Sequence, residues 1–137
     1  MTNLITIKAI IKVPIEKAWN YWNQPQHILN WNTASPDWHT VSAEVDLLVG
    51  GKFSSRMEAK DGSFGFDFYG FYDDIILHKS IKITLGDNRK MNVDFVEVTN
   101  GVQITETFEP ETENTIELQQ QGWQAILDNF KNYTETH

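Results

Sequence analysis

The sequence contains no cysteine, which removes disulfide frameworks, thiolate zinc sites and cysteine nucleophiles together. It also lacks any excess of positive charge, the net charge being -8. Residues 1–90 hold 10 Lys/Arg against 10 Asp/Glu, whereas residues 91–137 hold 1 against 9, so all of the acidity belongs to the last third. With no basic stripe to neutralise phosphates and no aromatics interleaved with Arg, nucleic acids and anionic membranes are disfavoured as partners. Long apolar runs are missing as well. The N-terminal run from Met1 to Val13 is interrupted by Lys8 and Lys12, which fits neither a membrane span nor a secretory segment. A cytoplasmic protein is expected, and Asn132-Tyr133-Thr134 reads as a chance sequon. The nucleophile-elbow pattern Gly-x-Ser-x-Gly is absent. Gly50-Gly51-Lys52 lacks the spaced glycines and trailing Ser/Thr of a phosphate loop and reads as a turn. No His pair has zinc-site spacing, so neither a metal nor a cofactor is expected.

What the chain does have is aromatic bulk: 8 Phe, 5 Trp and 4 Tyr in 137 residues. A chain of this length is most simply one domain, here residues 1–137, and it buries roughly two-thirds of its unfolded surface without needing a covalent staple. No repeat, low-complexity tract or linker divides it.

The local patterns change once along the chain. Ile5, Ile7, Ala9, Ile11 and Val13 alternate with Thr6, Lys8, Ile10 and Lys12, the period of a strand with one buried face. Pro14 ends that strand and suits the first turn of a helix. Ile15, Ala18, Trp19 and Trp22 then fall at helical spacing until Pro25, and Ile28 and Trp31 place a second short helix after it. From about residue 40, Gly50-Gly51, Asp61-Gly62, Gly86-Asp87-Asn88 and Asn100-Gly101 separate alternating runs, as hairpin connections do. The result is an antiparallel meander.

Parity assigns one face to Phe53, Ser55, Met57 and Ala59, to Phe64, Phe66 and Phe68, to Ile81, Ile83 and Leu85, to Met91, Val93 and Phe95, and to Val102, Ile104, Glu106 and Phe108. Arg56, Glu58, Asp67, Lys82, Asn92, Asp94, Gln103 and Thr105 take the wet face. Asn114-Thr115-Ile116-Glu117 reads as an N-cap with an acidic residue three positions on. Ile116, Trp123, Ile126, Leu127, Phe130 and Tyr133 form the apolar stripe of a helix of about 20 residues, roughly 30 Å long. Such a helix covers the dry face, giving an α+β protein with the sheet free to curl around it.

Four motifs in this order carry a resemblance: Pro14-Ile15-Glu16-Lys17-Ala18-Trp19 with Trp22, Trp31-Asn32, Gly50-Gly51-Lys52-Phe53, and Gly122-Trp123-Gln124-Ala125-Ile126-Leu127. Together they resemble the START-like helix-grip (SRPBCC) superfamily, and within it the bacterial branch related to the activator of the ninety-kilodalton heat-shock-protein ATPase. The resemblance implies a curved antiparallel sheet of about seven strands gripping a long C-terminal helix, two short helices after strand 1, and a cavity that in many relatives holds an apolar small molecule. It carries over no catalytic motif, because its members include lipid and hormone carriers, polyketide cyclases and co-chaperone domains. The co-chaperone relatives are longer proteins, so the absence of a second domain in this sequence is expected to weigh against a chaperone partner.

The inward set Phe53, Met57, Phe66, Phe68, Met91, Phe95, Trp123, Leu127 and Phe130, with Trp31 at an entrance, either fills a core or lines a cavity for planar apolar ligands. Ser55 and Gln120 stand where a ligand could find a neutral hydrogen bond. Glu106 has buried parity, and a carboxyl there would be desolvated and able to donate a proton or anchor a ligand. Isolated buried acids are uncommon, so a bulge turning Glu106 outward, or a place at the cavity mouth, is the expectation. His39 beside Asp37 invites a general-base reading that its loop setting after Pro36 disfavours. The cluster Glu106, Glu109, Glu111, Glu113 and Glu117 reads as a solvated edge favouring a helix N-terminus. Non-catalytic binding of a hydrophobic, aromatic or lipid-like molecule is therefore expected. A cyclase or dehydratase using Glu106 or His39, and a chaperone-interaction module, are the alternatives.

Overall fold

The computed structural model describes residues 4–137; positions 1–3 of the N-terminal run lie outside them. Strand β1 (Ile5–Ile11) is followed by helices α1 (Ile15–Asn23) and α2 (Pro25–Trp31), strands β2 (Trp38–Val45), β3 (Lys52–Ala59), β4 (Gly65–Ile76), β5 (Ser80–Leu85), β6 (Lys90–Val98) and β7 (Gly101–Phe108), and helix α3 (Ile116–Thr136). The strands form one antiparallel seven-stranded sheet in the order β1-β7-β6-β5-β4-β3-β2, curled into a half-barrel with α3 on its concave side. Irregularities between Thr40 and Ser42 in β2 and between Tyr72 and Asp74 in β4 break the ladder register. Bulges of this kind strengthen local twist and help a sheet to curl.

The expected turns hold the hairpins. Gly50 takes φ +85°, and at Gly51 a Cβ would run into the Asp46 carbonyl, so both glycines of the β2–β3 connection are required by the backbone. The β4–β5 connection carries no Gly, Pro or Asn; His78 adopts φ +62° there and Lys79 N donates to Ile76 O at 2.9 Å. Sequence punctuation therefore misses this turn.

Two details of α3 correct the sequence reading. The cap is Thr115, whose Oγ1 accepts from Leu118 N at 3.1 Å, while Asn114 N donates to Glu111 Oε1 at 2.9 Å in the preceding loop. Ile116 is exposed and takes no part in the buried stripe, which is carried by Leu127, Phe130 and Thr134 with Gln119 one end further up. Glu117 and Leu118 beside Ile116 are exposed too, and burial along α3 begins at Gln119.

The flank of α3 closes a sheet edge. Gln124 Nε2 donates to Lys8 O at 3.2 Å, Lys131 Nζ to Ile10 O at 2.6 Å, and Lys12 N donates to Glu135 Oε2 at 2.8 Å. Strand β1 is thus protected from pairing with another chain by side chains of the helix. Deeper in, Trp22, Trp31 and Phe130 meet with ring centroids 4.9 to 5.1 Å apart, and Phe95 lies 5.1 Å from Trp19 and 6.0 Å from Trp22. These contacts tie α1 and α2 to the C-terminal half of α3. Among the described residues no helix is long and apolar enough to cross a membrane.

Phe130→Ala should lower unfolding stability by about 3 to 5 kcal/mol through cavity formation, whereas Ile116→Ala should change it by less than about 0.5 kcal/mol. Urea unfolding midpoints of the two variants check the contrast.

Candidate functional site

Between the middle of the sheet and the N-terminal half of α3 lies a cavity of about 580 Å³. Its walls are Phe53, Ser55 and Met57 of β3, Phe66, Phe68 and Tyr72 of β4, Ile81 and Ile83 of β5, Met91 and Val93 of β6, and Glu106 of β7. Gln119, Gly122, Trp123 and Ile126 of α3 form the roof, and Trp22, Ile28 and Trp31 close one end. The exposed lining residues Ala34, Glu44, Phe66, Asn114 and Leu118 mark where it meets solvent. Phe66 there joins Trp38 and Phe64 in an aromatic lip, with centroids 5.9 to 6.5 Å apart.

Strand parity puts these side chains together and the helix fixes the roof. Trp123 stacks on Phe108 at 3.8 Å with rings 15° from parallel and presents an edge to Phe68 at 6.0 Å. Trp31 is oriented by its indole N–H, which donates to Tyr21 O at 3.0 Å. Apart from its own helix backbone and chain neighbours, Gly122 has no described atom within 4 Å of where a Cβ would stand, so it leaves open space in the roof.

Glu106 is the unusual group. It keeps inward parity between Ile7 of β1 and Val93 of β6, and the residue is only 6 % exposed, so no bulge turns it outward. The expectation of an outward carboxylate is overturned because the β7 ladder is regular from Gly101 to Phe108. Among the described residues no charge or hydrogen bond offsets its burial, and desolvation pushes its pKa up to about 8. Tyr72, also on the wall, is pushed up by burial and by the nearby Asp46 charge.

Other sequence candidates go elsewhere. Phe95, Leu127 and Phe130 are buried but stand off the cavity wall, in solid packing with the helices. Phe64 is exposed at the β3–β4 hairpin, beyond the reach of α3. Gln120 is exposed, with Nε2 3.5 Å from Thr6 O at the β1 edge. Its neighbour Gln119 takes the inward place, its amide bonded to Glu111 N and O and to Asn114 O at 2.9 to 3.1 Å. Helical spacing from Trp123 and Phe130 selects 119 rather than 120, a signal present in the sequence. Tyr72 is likewise reached by extending the parity of Phe66 and Phe68 along β4. His39 lies exposed on β2 opposite Glu58, off the cavity wall, so it forms no dyad with Glu106. His27 Nδ1 pairs with Tyr133 Oη at 2.8 Å, also away from the cavity, and its pKa is lowered by burial and then by His137 and Lys17. In the acidic cluster, Glu111 is held below its usual pKa by the backbone N–H groups of Glu113 and Asn114, a loop-ordering role.

A curled antiparallel sheet closing on its C-terminal helix around an apolar hollow defines a START-like helix-grip protein. Residues 12–135 match the family described as activator of Hsp90 ATPase homolog 1-like protein, and the chain belongs to that family. The solution NMR structure of the AHSA1-like protein from Aeromonas hydrophila is 46% identical, with a TM-score of 0.92 over 98% of this chain and 93% of that one. The solution structure of Chr148 from Cytophaga hutchinsonii is 48% identical, with a TM-score of 0.84 over 96% and 92%. The crystal structure of protein NE0264 from Nitrosomonas europaea shares the fold at 18% identity, with a TM-score of 0.82 over 97% and 94%. No curated protein matches the chain.

The Glu106 shift makes stability depend on pH. An unfolded Glu releases its proton near 4.3, whereas folded Glu106 holds it to about 8. Between those values the folded state binds more protons, so its stability falls as pH rises, by on the order of 3 kcal/mol at pH 7. Thermal unfolding of Glu106→Gln should lack this slope, and the variant should gain on the wild type steadily from pH 5 to pH 8.

Proposed function

We propose that the protein binds a hydrophobic, aromatic or lipid-like small molecule in the cavity between sheet and α3, and does so without transforming it. The observation that carries this reading is the hollow itself: about 580 Å³ walled by Phe53, Met57, Phe68, Met91 and Trp123. Small-molecule sites fall in this size range and have this composition. The hollow opens to solvent past Ala34, Phe66, Asn114 and Leu118, so bulk water reaches it. It must therefore hold water or a guest, and water against apolar walls is readily displaced by an apolar molecule. The rings and thioethers adapt to several shapes, so selectivity is expected to be loose.

Binding is favoured over turnover because proton-moving chemistry needs a second group facing Glu106, and His39 is on another face of the molecule. The family description speaks of activating a chaperone ATPase. That activity requires an outer surface rather than the hollow, and it responds to a different experiment.

Titration with 2-substituted naphthalenes, followed by amide NMR shifts, should perturb residues on the cavity wall. Gly122→Leu should fill the roof, reduce this binding at least ten-fold and leave the melting temperature unchanged or raised, since Leu also favours the helix. Shifts confined to the outer face, or binding untouched by Gly122→Leu, would remove the reading. Stimulation of a chaperone ATPase that survives Gly122→Leu would support the activator role instead.

A further inference from the structure

We propose that the cavity's guest carries a neutral hydrogen-bond acceptor, a carbonyl of ketone, ester or amide type, that receives the proton of the Glu106 carboxyl on the β7 wall. This rests on the small-molecule reading above and specifies the polar group that such a molecule must bring.

Glu106 lines the cavity, is 6 % exposed, and makes no hydrogen bond to any described residue. Its lateral neighbours in the sheet are Ile7 and Val93, and the Phe108–Trp123 stack lies next along β7. A polar group this deep finds its partners within the fold or takes them from what enters the hollow. Arg89 is the one cation among the described lining residues, and it is held at the rim: its Nε donates to Asp87 Oδ2 at 2.7 Å and its Nη1 to Glu109 O at 3.3 Å. Among the described residues no positive charge lies near enough to hold Glu106 as an anion.

A carboxyl in that setting is neutral at ordinary pH and presents an O–H donor. A guest ammonium would need the anionic form, and forming that pair means desolvating two charges against apolar walls. A guest carboxylate would find its cation in Arg89 at the rim and not beside Glu106, which has no charged neighbour among the described residues. A neutral carbonyl accepts the O–H with no charge to bury. An all-hydrocarbon guest, by contrast, would strip water from the carboxyl and leave it unpaired, which is the costly outcome.

The test uses 2-acetylnaphthalene and its shape-matched hydrocarbon 2-isopropenylnaphthalene, with 1-(2-naphthyl)ethylamine as the cationic probe, titrated into wild type, Glu106→Gln and Glu106→Leu and read by amide NMR. The wild type should bind the ketone about ten-fold tighter than the alkene, the discrimination of one buried hydrogen bond. Glu106→Gln keeps an N–H donor and should retain several-fold preference, while Glu106→Leu should bind both equally. Equal binding of ketone and alkene by the wild type, or a preference that survives Glu106→Leu, overturns the inference and leaves the cavity reading standing. Tighter binding of the amine than of the ketone overturns it in favour of ion pairing. If no probe binds the wild type, both readings fall. Should Glu106→Leu not fold, the wild-type ratio and Glu106→Gln still decide.

Discussion

A single helix is about 10 Å across, whereas a sheet of seven strands spaced about 4.8 Å apart is about 29 Å wide. One helix cannot cover such a sheet, and the remaining features of this protein are answers to that mismatch. The sheet curls, which brings its two ends toward the helix. Helices α1 and α2 plug part of the concave face with Trp19, Trp22 and Trp31. What is still unfilled, over the middle of β3 to β7 and beneath the N-terminal half of α3, is the cavity. The hollow is thus a consequence of strand number and helix count before it is a feature of any particular side chain.

Where α3 sits within that span is fixed by the β1 edge. An edge strand presents free carbonyl and N–H groups, and the stripe Gln124, Lys131 and Glu135 engages those of Lys8, Ile10 and Lys12. Asn129 Nδ2 donates to Thr33 O, anchoring the same helix to the segment after α2. These bonds hold α3 toward one side of the sheet, and so keep Trp123 and Gly122 over the hollow rather than sunk into it. Individually such exposed bonds contribute little, but together they select one helix position from several that would bury the same apolar stripe.

Much of this architecture is legible in the sequence because period and punctuation are local. The alternation from Ile5 to Val13, the helical spacing up to Trp22 and the hairpin turns at Gly50, Gly62, Gly86 and Gly101 each report on a few neighbouring residues, and the strand and helix assignments follow from them. The His78 turn escapes that reading because the residue takes a positive φ without the usual Gly or Asn. The site is only half legible. Parity identifies which side chains of β3, β4, β6 and β7 face inward, including Ser55 and Glu106. It does not say which inward positions meet another element and which meet empty space. Phe95 and Phe68 have equivalent sequence signals, yet one is packed by Trp19 and Trp22 and the other faces the hollow. The difference depends on where α1 and α3 stop, a long-range fact with no local signature. Gln119 and Gln120 differ by one residue, or 100° of helical turn, and only the phase set by Trp123 and Phe130 separates them.

That division runs along α3 itself. Its C-terminal half buries Leu127, Phe130 and Thr134 in solid packing, and its N-terminal half places Gln119, Gly122 and Trp123 over open space. Substitutions in the first group remove dispersion contacts and burial from the folded state, whatever the hollow contains. Substitutions in the second change the shape of a volume that the native fold leaves unfilled, so they alter what the hollow can hold at small cost in stability. Glu106 belongs to neither half. Set in a regular ladder on the cavity wall, it weakens the folded state at neutral pH and makes no hydrogen bond or ion pair with any described residue. What offsets that balance is water or another molecule from outside the polypeptide, which makes the carboxyl, more than any ring around it, the polar feature of the hollow.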